Sequence, residues 1–471
     1  MISFSICLIL LVVGYFTYGK FIEKTFGPDK RATPAITECD GVDYIVLPTW
    51  KIFMIQFLNI AGLGPIFGAI LGAKFGEASF LWIVLGSIFA GSTHDYLAGM
   101  LSLRHKGESL PELIGRYLGT RTRQFSCIFI VFLMMLVGAV FVASPAALLA
   151  KLTPESLDTN FWIIVVFVYY VIATLFPIDK IIGKIYPLFA FSLMFMAIGI
   201  LIMLYIKMPV LPELWDGLQN SHPQKDIFPI FPIMFVSISC GAISGFHATQ
   251  SPLMTRCMKS EFHGRPIFYG AMITEGIVTL IWAAAATYFF HYHKNGILET
   301  DASIIVFDIT KNWLGTIGGL LAILGVIAAP ITTGDTALRS ARLIVADFIH
   351  MEQRSIKKRL IICLPIFTFT AGLILYNLRD SQGFSVIWRY LAWANQVLSV
   401  FTLWAVTVYL TRKTSNYWTS LIPALFMTCV CATYICISPE GFGFSHSISY
   451  IVGCSAVLIS IIRFYGWKAK I

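Results

Sequence analysis

The run Ser244-Gly-Phe-His247-Ala-Thr-Gln250-Ser251-Pro252 gathers an imidazole, an amide and two hydroxyls inside an otherwise apolar stretch. All are hydrogen-bond donors. A helix that starts at such a glycine presents free N–H groups and the positive end of its dipole. His247, Gln250, Ser244 and Ser251 are therefore candidates to hold a small anion, above all a carboxylate. Two carboxyl groups interrupt other apolar stretches. Asp95 lies in Gly91-Ser-Thr-His-Asp95-Tyr96, and Glu275 follows Tyr269-Gly-Ala-Met-Ile-Thr. A buried carboxyl group responds strongly to its surroundings, so both are candidates for proton coupling or gating. Each also has a plainer reading: His247 as a packed ring bonded to a carbonyl, Asp95 as a surface partner of Arg104 or Arg116. Nothing basic lies nearer to Glu275 in sequence than Arg265.

The elements that position these groups are membrane helices. The chain is 57% hydrophobic and 13% charged, with a mean hydropathy of +0.77, whereas a soluble domain carries about 25% charge. About 20 apolar residues cross a bilayer. Thirteen segments reach that length, near 3–19, 51–73, 79–101, 125–150, 160–176, 186–206, 228–249, 268–290, 313–333, 359–378, 386–410, 418–437 and 446–464. The first has no basic residue before it and is followed by Lys20 and Lys24. It reads as a retained helix with its N-terminus outside. On that orientation 26 of the 34 basic residues fall on the inner side, and an odd number of spans puts the C-terminus in the cytoplasm. The net charge of +9 is then positive-inside bias, and no nucleic-acid partner is needed to explain it. The ten cysteines read as apolar packing.

Two of the segments are broken. The first reads Asn59-Ile-Ala-Gly62-Leu-Gly64-Pro65-Ile-Phe-Gly68, the second Gly241-Ala-Ile-Ser244-Gly245 onward to Pro252. Glycine and proline interrupt a helix, and free backbone at membrane depth is tolerated only where it is buried or lines a cavity. Interrupted segments in matching positions of two halves point to a transporter's binding site. Each break heads a block of five spans, giving one extra helix (1–22), a first repeat (45–210), an inverted second repeat (226–412) and two terminal helices (416–471). Asn59, Gly62 and Gly64 would face the second break, although Gly68-x-x-x-Gly72 equally suits close helix packing. Asn395 and Gln396 need partners inside the eleventh span. They serve either an interhelical bond or a substrate contact. The run Gly334–Asp347 has amphipathic spacing and is expected at the inner surface. There Asp335 either pairs with Arg339 and Arg342 as a gate or sits at a solvated helix start.

Six motifs carry a family resemblance: Asp40-Gly-Val-Asp43-Tyr44, Ala61-Gly-Leu-Gly-Pro65, Ser244 to Pro252, Tyr269 to Gly276, Pro330-Ile-Thr-Thr-Gly-Asp335 to Arg342, and Trp393-Ala-Asn395-Gln396. Together they resemble the carbon starvation protein A (CstA) family, with its N-terminal-type region near 1–345 and its C-terminal-type region near 346–440. The resemblance implies an all-α polytopic transporter of about 13 helices with a LeuT-like 5+5 inverted repeat, in a bacterial-type cytoplasmic membrane. It implies uptake of pyruvate or small peptides when carbon is scarce, with protons as the usual coupling ion. In LeuT-like sodium symporters a Thr/Ser pair supplies cation ligands. Thr332 and Thr333, with Ala329, match that pattern and leave sodium open, although threonine hydroxyls also bond back to helix carbonyls. This chain is shorter than the larger family members.

Two rival classes are weaker. A non-transporting sensor would want a soluble output element, and the inner loops are short. An enzyme would want a nucleophile–base pair or a metal cluster. His291-Tyr-His293 has no carboxylate nearby in sequence to complete one. No cofactor or metal is expected. The expected partners are a small carboxylate-bearing substrate, a proton or sodium ion, and the bilayer.

Overall fold

The computed structural model describes residues 1–39, 44–175, 178–290, 302–351, 353, 355–379 and 383–470. The Asp40–Asp43 run and His291-Tyr-His293 lie outside them. All regular structure among the described residues is helical. In chain order the helices are α1 (Ile2–Phe16), α2 (Tyr18–Phe26), α3 (Pro34–Thr37), α4 (Thr49–Ile60), α5 (Gly64–Gly72), α6 (Ala78–Leu85), α7 (Ser92–Arg104), α8 (Leu110–Leu118), α9 (Thr120–Leu152) and α10 (Thr159–Leu175). They continue as α11 (Ile178–Lys207), α12 (Phe235–Ser237), α13 (Ser239–Ala242), α14 (Gly245–Thr255), α15 (Gly270–Tyr288), α16 (Ala302–Phe348), α17 (Ile356–Arg379), α18 (Gly383–Arg412), α19 (Trp418–Ile437) and α20 (His446–Lys468).

Among the described residues, eight helices are long and apolar enough to cross a membrane, or nine if the bent pair α4–α5 is one span. The other four apolar segments of the sequence fall on α6–α7, which a π-helical turn at Gly86–Gly91 separates, on the 17-residue α10, on the broken run α12–α14, and on α16. Burial sorts the helices into an inside and a periphery. The apolar window of α15 is 89% buried and that of α20 only 17%. Large apolar side chains such as Ile128, Leu364 and Ile451 stand exposed on the outer helices, as lipid-facing positions require.

Both predicted breaks are present. Helix α4 ends at Ile60, Ala61 leaves helical geometry, and α5 departs at 47°. In the second segment Ile243 and Ser244 are extended between α13 and α14. The two breaks cross directly. A Cβ at Gly64 would collide with Cys240, one at Gly72 with Ile238, and one at Gly68 would lie 3.1 Å from the Ser237 carbonyl. Small residues let the two chains approach to backbone contact.

Proline leaves carbonyls to be satisfied elsewhere. Pro145 lacks the N–H that would bond the Phe141 carbonyl one turn back in α9. The Tyr170 hydroxyl of α10 fills that place at 2.8 Å and also stands 3.0 Å from the Pro330 carbonyl of α16. Gly334 makes room for it, since a Cβ there would collide with Tyr170.

The expected surface helix at 334–347 is corrected by the structure. These residues continue α16 inward, with Ala337, Leu338, Ala341 and Ile344 buried. Asp335 is fully buried mid-helix, 3.9 Å from Arg339, so it is no solvated helix start. Arg339 itself donates to the Ala173 carbonyl. The amphipathic pattern was genuine, but its polar residues meet protein groups: Arg339 the Ala173 carbonyl of α10, Ser340 the Gln250 side chain of α14, and Arg342 the Gln353 side chain.

Candidate functional site

Helix α14 is eleven residues long, and every one is buried. His247 lies on its first turn. Its Nδ1 is 2.8 Å from Asp95 Oδ2 on α7, and its Nε2 is 3.4 Å from Glu275 Oε2 on α15. His94, beside Asp95, places its own Nδ1 2.8 Å from Asp95 Oδ1. All four side chains are fully buried. The structure thus joins three residues singled out separately in the sequence and adds a fourth, His94. Its signal was available: an imidazole next to a carboxylate inside an apolar span is a functional candidate by default.

The surface-pair reading of Asp95 fails. Arg104 pairs instead with Glu261, at 3.0 and 3.2 Å, and reaches the Gly27 carbonyl and the Tyr409 hydroxyl. Arg116 pairs with Glu108 at 2.5 Å. Glu261 also accepts from the Asp29 amide.

A cavity of about 30 Å³ lies between the two breaks, room for roughly two waters. Gly62 and Gly64 line it from the first break, Ser239, Cys240 and Phe246 from the second, and Thr333 and Asn395 from α16 and α18. Leu133, Val137, Phe141 and Trp388 make the rest of its wall largely apolar. His247 and Gln250 are not in this wall. Gln250 points to Thr249 and to Ser340 of α16, at 2.9 and 3.4 Å. Ser251 bonds back to the His247 carbonyl at 3.0 Å. Asn59 is fully buried, and its amide has no hydrogen-bond partner.

Asn395 and Gln396 close the second break from α18. Asn395 Oδ1 accepts from the Phe246 amide at 2.7 Å and from the Ser244 hydroxyl at 3.1 Å. Gln396 Nε2 donates to the Ile243 carbonyl at 2.9 Å. Thr333 bonds back to the Ala329 carbonyl at 2.9 Å, and its hydroxyl is 3.3 Å from the Leu58 carbonyl at the end of α4. Thr332 bonds back to the Ala328 and Ala329 carbonyls within α16. Among the described residues, no group of three or more His, Cys, Asp or Glu is arranged to hold a metal ion.

Known proteins place this architecture. The profile of the family described as Carbon starvation protein CstA matches residues 1–156, 147–313 and 302–434. An "Uncharacterized membrane protein" of Haemophilus influenzae is 43% identical over 340 residues, 62% of this chain and 91% of that protein. The "Peptide transporter CstA" of Bacillus subtilis is 25% identical over 551 aligned positions, covering 94% of this chain and 92% of its own. The "Pyruvate/proton symporter BtsT" of Escherichia coli is 26% identical over 342 residues, 59% of this chain but only 47% of the symporter. Among solved structures, a manganese transporter of Eremococcus coleocola superposes with a TM-score of 0.56 at 12% identity, over 92% of this chain and 98% of that one. That likeness shows a shared membrane-transporter fold and nothing about cargo. With the family profile running almost from end to end, the chain is a member of the carbon starvation protein CstA family.

Proposed function

We propose that the protein is a secondary transporter importing small carboxylate-bearing nutrients, pyruvate or short peptides, across the cytoplasmic membrane when carbon is scarce, and that it is driven by protons. The names carried by its relatives support the substrate class. The observation that carries the coupling is the buried chain His94–Asp95–His247–Glu275 packed against the second break. Asp95 accepts from Nδ1 of both histidines, which fixes where those two protons sit. His247 Nε2 and Glu275, 3.4 Å apart and not hydrogen-bonded, are then the groups left to take up or release one further proton. An uncompensated charge at this depth is costly, so the chain's proton count and the conformation around it are coupled. Chains of this composition serve as proton relays in membrane transporters.

In this reading the thirteen apolar segments all span, in a 1 + 5 + 5 + 2 order with a LeuT-like inverted repeat, N-terminus outside and C-terminus in the cytoplasm. Substrate binds between the breaks, where Gly62, Gly64, Ser244 and Asn59 are candidates, and alternating access exposes it to each side in turn. Asp335 and Arg339 pair inside α16 as a gating element.

The deciding experiment is uptake of labelled pyruvate, and in parallel of labelled dialanine, into proteoliposomes under an inward proton gradient without sodium. Accumulation that an uncoupler collapses supports the proposal, and its absence for both substrates removes proton coupling. A second reading, sodium coupling, is favoured by one observation. The Thr333 hydroxyl stands beside the Ala329 and Leu58 carbonyls, and hard cations take oxygen ligands. A sodium requirement that Thr333→Val abolishes would establish it.

A further inference from the structure

The side chain that closes the second break belongs to another helix. Ser244 precedes α14 but does not cap it with its own hydroxyl, although a serine at that position ordinarily accepts from an N–H of the first turn. The acceptor is Asn395 Oδ1, brought in from α18. We propose that Asn395 is a stand-in for the substrate: its Oδ1 holds the place at the Phe246 amide and Ser244 hydroxyl that a substrate carboxylate oxygen takes during transport. This rests on the carboxylate reading above and adds the residue that yields to it.

Three observations support the exchange. Asn395 is part of the cavity wall, so a molecule between the breaks meets its side chain directly. The cavity holds roughly two waters, so even a three-carbon acid enters only when part of the wall gives way. The helices are in backbone contact here, since a Cβ at Gly245 would collide with the α18 backbone at Ser399 and Asn395, and parting them would give up that packing. A side-chain swing is the smaller change. Independently, Gln396 is fully buried beside the same break, and its Oε1 has no partner while its Nε2 holds the Ile243 carbonyl. A buried acceptor left unpaired is costly. An entering molecule that carries a donor, or a water brought with it, would satisfy this one.

The test is equilibrium binding of labelled pyruvate and of labelled dialanine to the purified full chain at neutral pH. Asp and Asn are equivalent as caps, so Asn395→Asp keeps the Phe246 amide capped, at the loss of the Nδ2 donor to the Ser244 hydroxyl 2.9 Å away, while placing a charge where the substrate's charge must go. Affinity for both probes is expected to fall at least about tenfold, a change of about 1.4 kcal/mol. Asn395→Ala removes the internal competitor, so affinity is expected to rise about threefold or more, because less of the protein is held in the self-occupied state. A purely structural bond predicts the reverse for alanine. Parental affinity in Asn395→Asp overturns the inference. If that variant does not purify as a folded protein, an alanine variant that binds no more tightly than the parent overturns it. Should the parent bind neither probe, the carboxylate reading falls and takes this inference with it; parental binding that both variants retain unchanged removes the inference alone.

Discussion

His247 Nε2 lies 3.4 Å from Glu275 Oε2, with both side chains shut off from solvent. A neutral imidazole would accept from a protonated Glu275 across this gap, and an imidazolium would donate to a carboxylate. The pair stands at ion-pair distance, and among the described residues neither atom has a hydrogen-bond partner, so a small approach of the two side chains is what either state needs.

Glu275→Gln fixes that position as a permanent neutral group. Exchange of labelled for unlabelled substrate across the membrane is expected to continue, while accumulation against a gradient is lost and its pH dependence flattens. Counterflow and net uptake in the same vesicles check this. Gradient-driven accumulation by the variant would place coupling elsewhere.

His247→Ala takes away the link between Asp95 and Glu275 and leaves a buried carboxylate short of a partner. Net uptake is expected to fall to background, with the protein still monodisperse in detergent. Uptake at the parental rate would show that the chain is not used.

Glu261 is 1% exposed and anchors Arg104, the Asp29 amide and, at 3.6 Å, Arg31. Removing one partner of a buried pair strands the other, at a cost of about 3 kcal/mol. Glu261→Gln is expected to lower the unfolding midpoint clearly. A midpoint within a degree of the parent would mean the network is held by its other contacts.

His222 lies in the segment between α11 and α12. Its ring packs on Phe75 and Phe228, with centroids 5.1 and 4.8 Å away, and its Nδ1 accepts from the Gln224 amide. Burial, with Lys74 nearby, holds its pKa down to about 4, whereas an unfolded histidine titrates near 6.5. Between those values the unfolded chain binds the extra proton, so stability present above about 6.5 is lost as pH falls toward about 4. Thermal unfolding scanned over that range should show the decline, and His222→Gln should shrink it.

Gly334→Ala drives a methyl group into the Tyr170 hydroxyl. Overpacking of this kind costs about 1–3 kcal/mol, so a lower midpoint is expected in a thermal-shift measurement. Tyr170→Phe combined with it should recover part of the loss, because the nearest of the colliding atoms is gone while two ring carbons remain close.

Much of this was legible beforehand because glycine, proline and buried charge are local signals. The breaks at Ala61 and at Ile243–Ser244 fall where the glycine-rich runs put them, since no side chain farther along the chain can restore a helix there. Pairings were not legible. Nothing in the spacing says that Asp95 on α7 meets His247 on α14, 152 positions away, or that Asn395 rather than Ser244 caps α14. The segment after Thr333 misled for a physical reason. Period-3.6 polarity marks a face that meets polar groups, and at Arg339 those groups are helix carbonyls. Nor did composition single out the π-helical turns at Gly86–Gly91 and Arg265–Tyr269, although Gly86, Gly91 and Pro266 are poor helix formers.

The Tyr170 hydroxyl has a consequence for how the bundle can deform. One oxygen closes the carbonyl freed by Pro145 and touches another, that of Pro330 in α16. Two long helices, each carrying a proline that would let it flex alone, thus share one hydroxyl of α10 at the same height, which favours their tilting together. Elastic strain during a transport cycle is then left to the two broken segments, where backbone is already free of its ladder. A spin-label pair spanning α9 and α16 at that height should keep one sharp distance in every state, while a pair across α5 and α13 should broaden.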